Sequence, residues 1–132
     1  MLLRSISIND YVKLASFWKE NDILSLVDSK ERIYIFLSKN PGLSILAEEN
    51  NNIIGTILIS YDGRRASIQK LVVKKDFRRK GIGKQLVTEA IKRLEKLDVL
   101  DIRVNCEKEL ISFYEQSGFQ KDNKALLRIK NL

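Results

Sequence analysis

The stretch from Leu71 to Leu86, LVVKKDFRRKGIGKQL, constrains the fold of this chain more than any other. Its apolar start reads as a buried strand, and the residues from Gly81 to about Leu97 carry a helical apolar pattern. Between them lies a basic loop with two glycines. The first turn of a helix leaves backbone N–H groups unpaired and carries a partial positive charge. Gly81 and Gly83 let an anion approach that backbone without meeting a Cβ. Arg78, Arg79, Lys80 and Lys84 add formal charge at the same place. The stretch is not a P-loop, since no Gly-Lys-Ser/Thr occurs, nor a dinucleotide fingerprint, since two of three glycines are present. Chemistry alone leaves two readings: a cradle for a compact phosphate ligand, or a turn decorated with surface lysines.

The charge distribution bears on that choice. The net charge is +7, from 24 Lys/Arg against 17 Asp/Glu. Arg64 to Lys96 alone holds 12 basic and 3 acidic residues, and the remainder of the chain is slightly acidic. A concentrated positive field attracts anions: nucleic acid, a phosphate-bearing small molecule or an acidic surface. Stacking on nucleic acid calls for aromatic residues interleaved with the basic ones, and only Phe77 lies there, so nucleic acid is the weaker match. With no histidine and a single cysteine, Cys106, histidine-based triads, an internal disulfide and a zinc site lack their residues. No apolar run approaches the ~18 residues of a membrane span, and MLLRSISIND turns polar too early for a secretory signal. The expectation is a cytoplasmic, metal-free single domain over residues 1–132, with 44% hydrophobic residues to build its core.

The remaining elements follow from period and punctuation. Met1 to Ile8 alternates as a strand, and Asn9 or Asp10 caps a helix carrying Phe17 and Trp18. A second helix starts near Asp28 or Ser29 and stops before Asn40-Pro41-Gly42. SILAEE and IIGTILIS flank Asn50-Asn51-Asn52 as a hairpin, and Asp62-Gly63 turns the chain into ASIQKLVV, giving three antiparallel strands in a row. After the long helix come a strand, VLDIRVN, and a helix, EKELISFYEQSG. Two short strands are expected in Phe119 to Leu132, around Asp122-Asn123. The order βααβββαβαββ predicts an α/β fold with a mixed sheet.

Arg78-Arg79-Lys80-Gly81-Ile82-Gly83 fits the acyl-CoA motif Arg/Gln-x-x-Gly-x-Gly/Ala of the Gcn5-related N-acetyltransferase (GNAT) superfamily, and the chain resembles that family. A second family motif, an aromatic-Tyr pair followed by Gly-Phe, is matched by Phe113-Tyr114-Glu115-Gln116-Ser117-Gly118-Phe119. Both occur in order, with a helix, a strand and a helix between them, and the element order is similar over nearly the whole chain. Tyr61-Asp62-Gly63-Arg64-Arg65 looks like a subgroup of small bacterial members. The resemblance implies a mostly antiparallel sheet with a splayed central strand pair, acetyl-CoA as cosubstrate and an amine as acceptor. The backbone of Leu71, Val72 and Val73 would meet the pantetheine arm. Arg78 and the N–H groups of Arg79, Lys80, Gly81, Ile82, Gly83 and Lys84 would take the pyrophosphate.

Tyr114 is the catalytic candidate. Attack of an amine on an acetyl thioester expels a thiolate, and a phenol protonated at neutral pH can give it a proton. Read without the resemblance, Tyr114 is a core aromatic. Two positions depart from the family pattern. Gln69 stands where many members have a general-base glutamate, and glutamine can hold a water but cannot take its proton. Glu107 stands where an asparagine usually touches the cofactor, seven residues before the tyrosine. Either Asn105 takes that place after a small shift, or Glu107 has another job, such as base; a plain helix-start glutamate is the third reading. An acetyl-Cys106 intermediate lacks a histidine to activate the thiol. Asp22, Asp28 and Glu31 could attract a cationic amine or serve as helix-start carboxylates. The leading expectation is transfer of acetyl to a primary amine on a small molecule or peptide. A domain that holds acyl-CoA as a sensor or partner module is the alternative, and a homodimer fits the family. The acceptor is not written in the sequence.

Overall fold

The computed structural model describes residues 1–130. Five strands, β1 (Leu2–Ser5), β2 (Ile45–Glu49), β3 (Asn52–Tyr61), β4 (Ala66–Val73) and β5 (Ile102–Val104), form one sheet in chain order. The first four are antiparallel neighbours, and β5 joins β4 in parallel. The hairpin between β2 and β3 closes through Asn50 and Asn51 at φ 52° and 65°. Asparagine tolerates this left-handed region better than most residues. Helices α1 (Tyr11–Glu20) and α2 (Lys30–Lys39) cover one face, and α3 (Ile82–Glu95) with the short α4 (Ile111–Glu115) covers the other.

Alternation along the strands divides the core in two. Ile45 and Ala47 of β2 and Ile57 and Ile59 of β3 pack with Leu86, Val87, Ala90 and Leu94 of α3. Leu46 and Leu58 turn the other way, toward Leu14, Phe17 and Trp18 of α1 and Ile33 of α2. With both faces covered, β3 reads as a nearly continuous apolar run rather than an alternating one. The early aromatics Phe17 and Trp18 are core, as their spacing predicts. α3 lies so close to the sheet that a Cβ on Gly55 would sit 3.1 Å from Cδ1 of Leu86. Leu86 is fully buried. Leu86→Ala is therefore expected to cost about 2–5 kcal/mol, read as a lower urea midpoint at unchanged slope.

The observed order is βααβββαβα through Gly118. The last strand and last helix are shorter than their sequence patterns, and the two C-terminal strands are not formed in residues 119–130; residues 131–132 lie outside the described residues. The segment itself buries little apolar surface. Gln120 to Lys124 is polar throughout, and Leu126, Leu127 and Ile129 beyond it are 65%, 89% and 79% exposed. An isolated hairpin is marginal in water without a sheet edge or a core to cover. Among the described residues no helix is long and apolar enough to cross a membrane.

Candidate active site

The site begins where two strands part. β4 and β5 pair only over Ala66–Ile102, Ser67–Arg103 and Ile68–Val104. Beyond Ile68, β4 runs on to Val73 with β3 on one side and, among the described residues, no strand on the other. The N–H of Lys74 donates to the Ile54 carbonyl, 2.8 Å away on the β3 side. Strand alternation then turns the amides of Leu71 and Val73 toward the open side. A ligand with amides of its own can complete such an edge.

The open edge is aimed by a bulge. Thr56 faces Val72 and Leu58 faces Gln69, so β4 carries one residue more than β3 across this step. Lys70 is in the left-handed region at φ 51°. Its carbonyl accepts from Thr56 Oγ1 at 2.9 Å, and Thr56 Oγ1 accepts in turn from Trp18 Nε1 at 3.1 Å. A buried threonine thereby fixes the bulge to the core of the first helix.

A cavity of about 310 Å³ occupies the space between the parted strands. Gln69, Leu71 and Val72 line it from β4, Asn105 and Glu107 from the end of β5, and Tyr114 from α4. The six sequence candidates thus meet in one place, from segments more than thirty positions apart. Tyr114 is 4% exposed, with its ring edge-on to Phe113 and Phe119 at centroid distances of 5.1 and 5.5 Å. It is a core aromatic and a cavity-lining phenol at once. Burial pushes its hydroxyl up to about 12, and the neighbouring Cys106 adds to the rise. The phenol stays protonated through the neutral range and well beyond it.

Glu107 is exposed and precedes a 3-10 turn, Lys108–Leu110, to which its side chain makes no capping hydrogen bond. Among the described residues no ion pair engages it. Lys70, the other charged residue lining the cavity, is paired with Asp28, so Glu107 supplies its one unpaired charge among the described residues.

The basic loop lies outside this cavity, at the end of the same strand edge. Arg79 and Gly81 are left-handed at φ 63° and 83°, and Gly81 is the residue before the first turn of α3. No side chain caps that turn, and its first four residues include no acid. A Cβ on Gly81 would meet nothing within 4 Å, so the space in front of the helix start is open to a ligand. These features fit a phosphate group. Gly83 answers to a different need: a Cβ there would approach Phe113 Cζ to 3.3 Å, so this glycine seats α3 against the aromatic pair. Arg78 donates from Nε to the Val73 carbonyl at 2.9 Å, which joins loop to strand edge; a ligand arm pairing at Val73 competes with it for that oxygen.

Sequence reasoning did not find Lys70, Ile23 and Leu110, which complete the wall. Lys70 had a signal. Ala66 and Ile68 share the α3 face with Leu71 and Val73. The apolar phase therefore slips by one residue between them, as a bulge requires. Ile23 had none, because it comes from a connection rather than a periodic element, and Leu110 sits in the expected last helix with nothing in its sequence to mark it as facing a cavity.

A family model described as an acetyltransferase (GNAT) domain matches residues 17–128. An acetyltransferase of Sodalis glossinidius is 27% identical over the whole of this chain and 96% of its own length. One of Pectobacterium atrosepticum is 33% identical over 71% of this chain and 67% of its own. Among solved structures, a predicted acetyltransferase of Clostridium acetobutylicum with acetyl-CoA superposes with a TM-score of 0.77 at 20% identity, covering 97% of this chain and 95% of that one. An N-acetyltransferase of Thermoplasma acidophilum in complex with coenzyme A gives 0.76 at 24% identity, with coverage of 94% and 92%. Parted strands, a glycine-opened helix start and a buried tyrosine between them therefore have a family to which they belong: this chain is a member of the GNAT acetyltransferase domain family.

Proposed function

We propose that this protein transfers the acetyl group of acetyl-CoA to a primary amine by direct attack, with Tyr114 as general acid. The observation that carries the proposal is that buried Tyr114 lines the same cavity as Leu71, on the stretch of β4 that β5 leaves unpaired. Leu71 and Val73 would align the pantetheine amides, and the N–H groups of Gly81, Ile82, Gly83 and Lys84, with Arg78 to Lys80, would hold the pyrophosphate. The thioester supplies the electrophilic carbon. As the N–C bond forms and the C–S bond breaks, Tyr114 gives its proton to the departing sulfur. A carboxylate at the cavity wall supports a cationic acceptor, and Glu107 would take the proton that the acceptor's ammonium must lose before its nitrogen can attack. Gln69 in the same wall can hold a water but not accept that proton.

The test is calorimetry with acetyl-CoA, followed by free-thiol release with a panel of tyramine, spermidine, glucosamine 6-phosphate and a short peptide with a free N-terminus. Saturable binding with thiol release on at least one amine is expected. Binding without release on any amine favours the alternative of an acyl-CoA sensor module, and no binding removes both. Glu107→Gln is expected to lower kcat by about 10²-fold with coenzyme A affinity unchanged, as measured on the best amine of the panel. The acid role also fixes the shape of the alkaline side of the profile. A general acid must be protonated, and a phenol raised to about 12 remains so at pH 10. Ionisation of Tyr114 is therefore expected to cause no fall in kcat between pH 7 and about pH 10.

A further inference from the structure

The segment joining α1 to α2, residues 21–29, has one buried residue, and it is the charged Asp28. Of its apolar residues Ile23 packs against the α1 core, while Leu26 and Val27 are 91% and 66% exposed. Lys70 ties its polar groups to the sheet. The Nζ of Lys70 lies 2.7 Å from Asp28 Oδ2 and donates to the Ile23 carbonyl. The same ammonium sits over the Trp18 ring, 5.6 Å from its centroid. Asp28 is held for this contact from its own side, accepting from the N–H and Oγ of Ser25 at 2.9 and 3.2 Å, and its carbonyl accepts from the Tyr11 hydroxyl at 2.7 Å. All partners of the Lys70 ammonium thus come from α1 or the segment after it, while Lys70 itself is the left-handed residue of the β4 bulge. Ile23 and Lys70 both line the cavity, which among the described residues takes no lining from the basic loop.

We propose that the Asp28–Lys70 pair is a positioning latch, which holds the α1–α2 segment against the β4 bulge and closes the acceptor side of the cavity to water. The pinning stands on the contacts alone, whereas its use in closing the acceptor side rests on the transferase reading. An ion pair suits this better than apolar packing would. It fixes one geometry, since a carboxylate and an ammonium out of water tolerate separation poorly. It also neutralises the lysine, so the acceptor wall keeps the negative sign that Glu107 gives it. Excluding water protects a thioester from hydrolysis while an amine arrives.

The test compares Asp28→Asn, Lys70→Met and the conservative Lys70→Arg in the full chain. Without ligand, amide hydrogen exchange in residues 21–29 is expected to quicken about ten-fold in the first two and to stay within about two-fold of the parent in Lys70→Arg. With acetyl-CoA and no amine, free-thiol release is expected to rise about three- to ten-fold in the first two and to return toward the parent in Lys70→Arg. The coenzyme A dissociation constant should move by less than about two-fold in all three, because the Leu71 to Val73 edge and the helix start are untouched. A variant that merely loosened the fold would lose coenzyme A affinity and thiol release together. Should a single variant fail to fold, the Asp28→Asn/Lys70→Met double, which leaves no unpaired buried charge, must show the same quickened exchange. Unchanged exchange overturns the latch, and quickened exchange without added thiol release overturns its role in closure. If the parent itself does not bind coenzyme A, the transferase reading falls, and the exchange data alone decide the pinning.

Discussion

Tyr114→Phe is expected to lower kcat by about 10²- to 10⁴-fold, the range that general acid catalysis supplies. The substitution removes one oxygen and leaves the ring. That ring is edge-on to Phe113 and Phe119, and both contacts survive in phenylalanine. Tyr114 lines the cavity, and burial and Cys106, not a hydrogen bond, set the acidity of its hydroxyl. Its loss therefore strands no buried partner, and thermal stability should stay within about 0.5 kcal/mol of the parent. Coenzyme A affinity should also hold, since the amides of Leu71 and Val73 and the start of α3 carry it. The measurement is kcat from thiol release on the best amine of the panel, beside a calorimetric dissociation constant. Full turnover in the phenylalanine variant would assign the proton to another donor, and Cys106, half-buried in the same wall, is the first to try next.

The parts of this molecule that were legible in the sequence are those written in a period or a dipeptide. ASIQKLVV is β4 to the residue, because Arg65 and Lys74 bound a β-rich run with a turn before it. Gly81 stands at the start of α3, where a left-handed residue is needed. Tyr114 could be read two ways, as core aromatic or as catalytic phenol, and its position is compatible with both, since it is buried in the α3-side core and also lines the cavity. Glycine invites over-reading: the sequence offers Gly81 and Gly83 as a matched pair, yet only packing tells that Gly83 gives way to Phe113. Asp28 shows the reverse limit. Its place after Ser25 is local and its capping contacts are local, but its partner Lys70 is 42 positions away and reaches it only because a bulge turns the lysine over. Phe119 to Lys130 shows a third: a turn signal at Asp122-Asn123 with apolar residues on either side suggests two short strands, but an apolar residue forms a strand only where it finds something to cover.

Gly81→Glu is expected to weaken coenzyme A binding by at least about 10²-fold while the protein stays folded. The two halves of that statement come from different features. Folding survives because a Cβ at this position meets no atom within 4 Å, and a carboxylate at a helix N-terminus is favourable for the helix. The left-handed φ of 83° does add strain for any residue but glycine, about 1–2 kcal/mol, so a modest fall in melting temperature accompanies the change. Binding fails because the new side chain enters the space open before the first turn of α3 and sets a negative charge against a diphosphate that uses the same N–H groups. Gly81→Ala separates bulk and strain from charge: it carries the same φ penalty and no charge. Its dissociation constant should rise by about ten-fold or less, and added salt should recover part of the loss in the glutamate variant but none of it in the alanine. Equal losses in the two variants would trace the effect to backbone strain, and unchanged affinity in the glutamate variant would place the phosphates away from this helix, leaving the excess positive charge of Arg64 to Lys96 in search of another anion.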